Sequence, residues 1–238
     1  MNLLAFDTST DTLSIAVQRA DATWEHSGPG GAQASATLLP AIRALLAEAG
    51  LSFDTLDAVV FGRGPGSFTG LRTTCSVAQG LAFGAGVPVL PIDTLLAVAE
   101  AARHAHGCTR VVAVLDARMD EVYTAPFEFQ ADGTWRGGDD FGLCAPQSVA
   151  VPPGYTVAGN ARAAYGERLA PDAPHVFALP TALALLHLAP ARIAAGGAQP
   201  ASEALPLYVR DKVAQTTAER LAARQAAAAA LPPILSAP

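Results

Sequence analysis

Apolar and polar positions recur along the chain with two periods, and each change from one period to the other marks an element boundary. Leu3-Leu4-Ala5-Phe6 is a short apolar run ending at Asp7. The polar stretch 8–12 leads into the alternating Leu13-Ser14-Ile15-Ala16-Val17, so the two runs predict a hairpin. A third strand is expected over 22–26, before Gly28-Pro29-Gly30-Gly31 breaks the pattern with a loop. Leu38, Leu39, Ile42, Leu45, Leu46 and Ala49 then fall at helical spacing, with Gly50 as the helix stop. Residues 58–61 predict a buried strand, 71–83 a helix, 87–92 a strand and 95–106 an Ala-rich helix. The first hundred residues thus run βββαβαβ and close on a helix.

The order starts again. Val111-Val112-Ala113-Val114-Leu115 runs into Asp116, a tight polar turn follows, 121–129 alternates, and Thr134-Trp135 is the third strand. Asp7 and Asp116 end the first strand of each half, 116 − 7 = 109 positions apart, as a duplicated fold requires. Further on, 155–158 reads as a strand, 181–188 as a short helix before Pro190, and 217–231 as a terminal Ala-rich helix whose tail frays from Pro232. The expected fold class is α/β with two similar βββαβαβ-type domains, 1–106 and 107–214, the terminal helix joining the first.

Composition narrows what such a chain can do. With 238 residues, 51% hydrophobic and 15% charged, disorder as the main state is excluded. A net charge of −6 repels polyanions, which argues against an autonomous nucleic-acid binder. Cys75, Cys108 and Cys144 form no Cys-x-x-Cys pair and are expected to be buried, reduced thiols. None of the five histidines forms a His-x-x-x-His pair, so no metal site is expected, and surface or helix-end roles are. Met1–Phe6 pass straight into a strand with no basic n-region, pointing to the cytoplasm. The uncharged run 73–92 is interrupted by Gln79, Gly80, Gly84, Gly86, Pro88 and Pro91, so it reads as helix, turn and strand rather than a membrane span.

Three features could carry chemistry. Gly62-Arg63-Gly64-Pro65-Gly66-Ser67-Phe68-Thr69-Gly70 sits between a strand and a helix N-terminus, where backbone N–H groups favour an anion. It is neither a P-loop nor Gly-x-Gly-x-x-Gly, and a tight βα turn needing close packing is the other reading. Asp7 and Asp116 could face each other across a cleft around a metal-bound nucleotide, or simply cap their own turns; neither turn contains glycine to wrap phosphate. Finally, no charge lies on any face from Thr73 to Phe83: Leu71, Cys75, Ala78 and Ala82 form one stripe, and Thr73, Val77, Gly80 and Gly84 the opposite side. Such a helix is buried all round, either within the monomer or against another chain.

Taken together, the glycine run 62–72, Leu4-Ala5-Phe6-Asp7-Thr8-Ser9, Leu115-Asp116-Ala117-Arg118-Met119-Asp120-Glu121-Val122-Tyr123 and Leu207-Tyr208-Val209-Arg210 resemble the TsaB (YeaZ) family. The resemblance implies an actin-like (ASKHA) fold and a non-catalytic role in forming threonylcarbamoyladenosine on tRNA beside the anticodon. It implies a TsaD-type transferase and a TsaE-type ATPase as partners, a homodimer when alone, tRNA contact only through the complex, and no membrane. The related TsaD has His-x-x-x-His where Thr94-Leu95-Leu96-Ala97-Val98 stands here, which leaves no catalytic or metal residue of that kind. The implied partner interface is Leu38, Leu39, Ile42 and Leu45 of the first helix with Thr73, Val77, Gly80, Leu81 and Gly84 of the second. Many relatives have a histidine at the position of Ala34. No cofactor of its own is expected; a nucleotide at the partner interface would meet Asp7, Thr8, Ser9, Gly64, Gly66, Ser67 or Asp116. The rival readings are a stand-alone actin-like ATPase or kinase and a metallopeptidase-like protein.

Overall fold

The computed structural model describes residues 1–138 and 140–210. The first half consists of β1 (Asn2–Asp7), β2 (Thr12–Arg19), β3 (Ala22–Pro29), α1 (Ala34–Glu48), β4 (Ala58–Gly64), α2 (Phe68–Ala85), β5 (Val89–Asp93) and α3 (Thr94–His106). The second consists of β6 (Arg110–Arg118), β7 (Glu121–Phe129), β8 (Trp135–Gly137), β9 (Gly142–Cys144), β10 (Thr156–Gly159), α4 (Ala161–Tyr165), β11 (His175–Phe177) and α5 (Ala182–Ala194).

Each half builds one sheet. The strand orders are β3-β2-β1-β4-β5 and β8-β7-β6-β10-β11, with β9 pairing beside β8 on β7. In both, the hairpin strands are antiparallel and the next two are added parallel. Five strands of each sheet therefore match in order, β9 being the extra strand of the second, and Asp7 and Asp116 stand at equivalent ends of β1 and β6. Helices are less equal: among the described residues nothing helical longer than a single turn at Pro146–Ser148 stands where α1 does, and α4 has five residues against eighteen in α2.

Alternation on β1 shows how the layers form. Leu3 and Ala5 point to one core and Leu4 and Phe6 to another, because successive side chains leave opposite faces of a strand. The first core is shared by both sheets, with α3 and α5 between them, and its many alanines (Ala97, Ala99, Ala102, Ala182, Ala189) allow helix and sheet to approach closely. The second lies under α1 and α2 on the outer face of the first sheet, and a small third under α4 on the outer face of the second. The halves are also stitched by polar groups: the Ala182 N–H at the start of α5 donates to Ser14 Oγ on β2 at 2.8 Å.

Several expectations need correction. α5 does not stop before Pro190 but runs through it, because that proline lies on the solvent side of the helix. α1 likewise holds Pro40 on an exposed face. Only Cys75 is buried, while Cys108 and Cys144 are half-buried. The expected terminal helix 217–231 lies outside the described residues. Among those described, no helix is long and apolar enough to cross a membrane.

Candidate functional site

At the carboxyl ends of β1 and β6 the halves leave a cleft of about 230 Å³ between them. Ser9, Gly66 and Ser67 line it from one side, Asp116, Arg118 and Asn160 from the other, and the segment 207–210 closes its end. Crevices at strand carboxyl ends are where open α/β sheets bind ligands.

Asp7 and Asp116 do not face each other there. Asp7 is buried in its own turn, where Oδ1 accepts from the Ser9 N–H at 2.8 Å and the Ser9 hydroxyl at 2.6 Å, and Oδ2 has no partner. Burial pushes its carboxyl up to about 6, against the pull of the two Ser9 bonds. Gly62 encloses it, since a Cβ there would come within 1.7 Å of Asp7 Oδ2. Asp116 does line the cleft, but its carboxylate is committed: Oδ1 accepts from the Arg118 N–H at 2.8 Å and Tyr165 Oη at 2.7 Å, and Oδ2 pairs with the Arg118 guanidinium at 3.0 Å. Burial, with the Asp116 bond adding to it, raises the Tyr165 phenol to about 12. The turn after Asp116 holds Arg118, Met119 and Asp120 in succession at φ 61, 56 and 62, the left-handed region. Arg118 reaches back across the cleft to Asp11 at 2.7 Å, and Arg210 pairs with Glu121.

The glycine loop is used for close backbone approach. Cβ atoms at Gly66 and Gly70 would lie 2.6 Å from Ser9 Cβ and 1.9 Å from the Thr8 carbonyl oxygen. Gly64, at φ +121, touches the Leu207 carbonyl in the same way. Thr8 is fully buried; its hydroxyl donates to the Gly70 carbonyl at 2.8 Å and lies 2.6 Å from that of Thr74. The Ser67 N–H donates to the Ser9 carbonyl at 2.8 Å. The loop packs as a close βα turn, and Thr8 and Gly64, like Asp7, do not line the cleft, whereas Gly66 and Ser67 do. Thr94 and Val98 are both fully buried, and Thr94 Oγ1 accepts from the Gly64 N–H at 3.0 Å. That helix start is a cap on the loop.

The two outer helices divide differently from expectation. Leu38, Ile42 and Leu45, spaced along one stripe of α1, are buried against the first sheet, and Ala34 is buried too, so they present no surface to a partner. Leu39, on the next face, is 42% exposed. On α2, Leu71, Cys75, Ala78 and Ala82 are buried as the stripe predicts, and burial pushes the Cys75 thiol up to about 12, Asp7 adding to it. Thr73, Val77 and Leu81 are half-buried, Gly80 and Gly84 are exposed with nothing within 4 Å of a Cβ, and Phe83 is 82% exposed. The helix is thus not covered all round within the monomer. Sequence reasoning missed the cluster at its N-terminal end, where Phe68 and Tyr208 pack at 5.4 Å and Arg72 lies 3.9 Å over the Phe68 ring while its Nε donates to Tyr208 Oη at 3.1 Å. The available signal was Leu207-Tyr208-Val209-Arg210, which no periodicity explains.

Comparison with known proteins places this architecture. The TsaB protein of Haemophilus influenzae, a tRNA threonylcarbamoyladenosine biosynthesis protein, is 36% identical over 225 residues, covering 90% of this chain and 95% of the relative. The chain belongs to the TsaB family. The Escherichia coli TsaB is 37% identical over 149 residues, a match of 63% of this chain and 64% of that one. The structure of YeaZ from Pseudomonas aeruginosa superposes with a TM-score of 0.82 at 39% identity, covering 87% of this chain and 99% of the other. The family model for TsaD, described as tRNA N6-adenosine threonylcarbamoyltransferase, matches residues 29–134. That TsaD match runs from the end of β3 to the residue before β8, so it includes Thr94 and Val98. The fold of this TsaB member is accordingly the two-part actin-like (ASKHA) class, and its family works in tRNA threonylcarbamoyladenosine biosynthesis.

Proposed function

We propose that this chain is a non-catalytic partner subunit for threonylcarbamoyladenosine formation on tRNA, which binds and activates a TsaD-type transferase together with a TsaE-type ATPase, and pairs with itself when alone. The observation that carries this reading is the uncovered face of α2. Thr73, Val77, Gly80, Leu81 and Gly84 form a charge-free, small-residue strip with Phe83 standing beside it, and small residues let a partner helix approach to about 8–10 Å. Leu39 of α1 extends it.

Three further observations support an accessory role. Thr94 and Val98, at the positions of the TsaD histidines, serve as a cap and as core packing. Both aspartates are held by their own turns, which disfavours an ATPase built on them. The cleft, at about 230 Å³, is below the ~300–1,000 Å³ of ordinary small-molecule sites, which favours no cofactor of the chain's own and puts any nucleotide at the partner interface. A net charge of −6 leaves tRNA to the other subunits, and cytoplasmic residence follows from that task.

The test is Val77→Arg in the full chain. At the half-buried edge of α2 the arginine can turn its charge to solvent in the monomer, but not in a desolvated helix contact. The variant is expected to keep its circular dichroism spectrum, sediment as a monomer, fail to retain a TsaD-type protein in a pull-down and fail to support tRNA modification in a reconstituted mixture. Gly80→Arg, where the added Cβ meets open space, serves if Val77→Arg is insoluble. Soluble variants that still pair and still bind the transferase overturn the proposal.

A further inference from the structure

A second and larger cleft, of about 660 Å³, lies at the other ends of the same strands. Its walls include Gln18, which pairs with Leu3 near the start of β1, and Phe129, whose N–H donates to the Thr109 carbonyl just before β6. It is therefore separate from the cleft at Asp116 and from the outer face of α2. α3 and α5 form its floor.

At its centre is Glu100, the only carboxylate lining it among the described residues. Glu100 is buried and fully used: it accepts from Arg103 Nε at 2.9 Å and Nη2 at 2.7 Å and from Trp135 Nε1 at 2.8 Å, while His187 Nδ1 lies at 3.5 Å. A carboxylate so occupied has little left to offer a ligand. Cationic groups have more. Arg103 has committed two of its five N–H groups, and its guanidinium is held 4.5 Å over the Phe129 ring, which fixes its plane. Arg192 lines the same cleft, is exposed, and its guanidinium has no hydrogen bond or ion pair among the described residues. His104 and His187 pack against each other at 4.7 Å, their rings tilted by 41°. The remaining wall is apolar, from Leu96, Leu183, Leu186 and Pro190.

Glu100 and Arg103 offset each other, so Arg192 leaves one uncompensated positive charge, next to the N–H groups Arg103 has not committed and beside an apolar surface in a space the size of a ligand site. We propose that this cleft binds a small organic anion with an apolar body, a carboxylate or sulfonate whose charged end is held between Arg103 and Arg192 and whose body lies against the leucines. A cation would be repelled by both guanidinium groups, and a neutral apolar molecule would desolvate them without return.

The probe is 1-anilinonaphthalene-8-sulfonate, an aromatic sulfonate that fluoresces on leaving water, titrated into the full chain with benzoate and benzyl alcohol as competitors. Saturable binding of one probe per chain is expected, displaced by benzoate but not by the same concentration of benzyl alcohol, and weakened about tenfold by Arg192→Glu, a substitution at an exposed position that leaves the fold intact. Binding that is not saturable, that benzyl alcohol displaces as well as benzoate, or that Arg192→Glu leaves unchanged overturns the proposal. Because the site lies away from α2, this outcome is independent of whether Val77→Arg breaks assembly.

Discussion

Asp7 and Asp116 occupy equivalent turns, yet one is sealed and the other lines the cleft. The difference lies in their neighbours: Gly62 lets β4 close over Asp7, while Asp116 is drawn outward by Arg118, Tyr165 and its own N–H, which donates to Asn160 Oδ1 at 2.9 Å. Strand ends are legible in a sequence, but which side of a turn a side chain takes depends on residues far along the chain. The sealed state has a pH signature. Burial raises the Asp7 carboxyl from an ordinary 3.8 to about 6, so the folded chain holds a proton in that window that the unfolded chain has released. Stability from this group is therefore highest below pH 4, falls as pH rises to about 6, and is level above. Asp7→Asn removes the titration. Relative to wild type, the variant is expected to gain about 2 kcal/mol in urea unfolding between pH 4 and pH 8. An equal pH dependence in both proteins would show that Asp7 is solvated.

At the scale of elements, the strands of the two hairpins and the core stripe of α2 follow from period alone, because β1, β2, β6 and β7 sit centrally and α2 has one strong apolar face. α1 departs from expectation at three of its four interface positions for a physical reason: its apolar stripe covers the first sheet, so Leu38, Ile42 and Leu45 lie inside, while Leu39 stays exposed. α4, β9 and β11 are too short for any period to show. Glycines of α2 separate the loop from the exposed face. Gly70→Ala, which drives a Cβ to 1.9 Å from a backbone oxygen, is expected to destabilise the chain by about 3 kcal/mol or more. Gly80→Ala, with nothing to meet, is expected to stabilise the monomer by up to about 1 kcal/mol through helix propensity. Chemical denaturation of both variants checks the contrast, and equal effects would mean that the loop can relax away from Thr8.

Across the whole molecule, the duplication was legible because two aspartates and two hairpins repeat, but the shared core was not. What joins the halves is a contact between helices that start 182 − 94 = 88 residues apart, α3 and α5, and no local period reveals a contact over that separation. Burial by itself would raise the Glu100 carboxyl, but bonds from Arg103, His187 and Trp135 outweigh it and hold the group at about 2. Its contribution is therefore present above an ordinary 4.5 and lost as pH falls towards 2. Since those partners stand on α3, α5 and β8, Glu100→Gln is expected to cost about 2 kcal/mol of stability at neutral pH, read by denaturation, while leaving retention of a TsaD-type protein unchanged. A loss of retention at full stability would place Glu100 in the partner contact instead.

The layer of α3 and α5 also decides how this molecule can move. Rotation of one half against the other, the motion that opens and shuts a cleft around a ligand, needs an interface that slides or a linker that bends. Here the hinge region is filled by two close-packed helices that belong to both halves at once, pinned at Ser14 and Ala182. Swinging the halves apart would strip alanines from contact on both sides and leave a buried N–H unpaired. The described residues are consequently packed as one block across the two halves, an arrangement unsuited to a cycle of opening and closing.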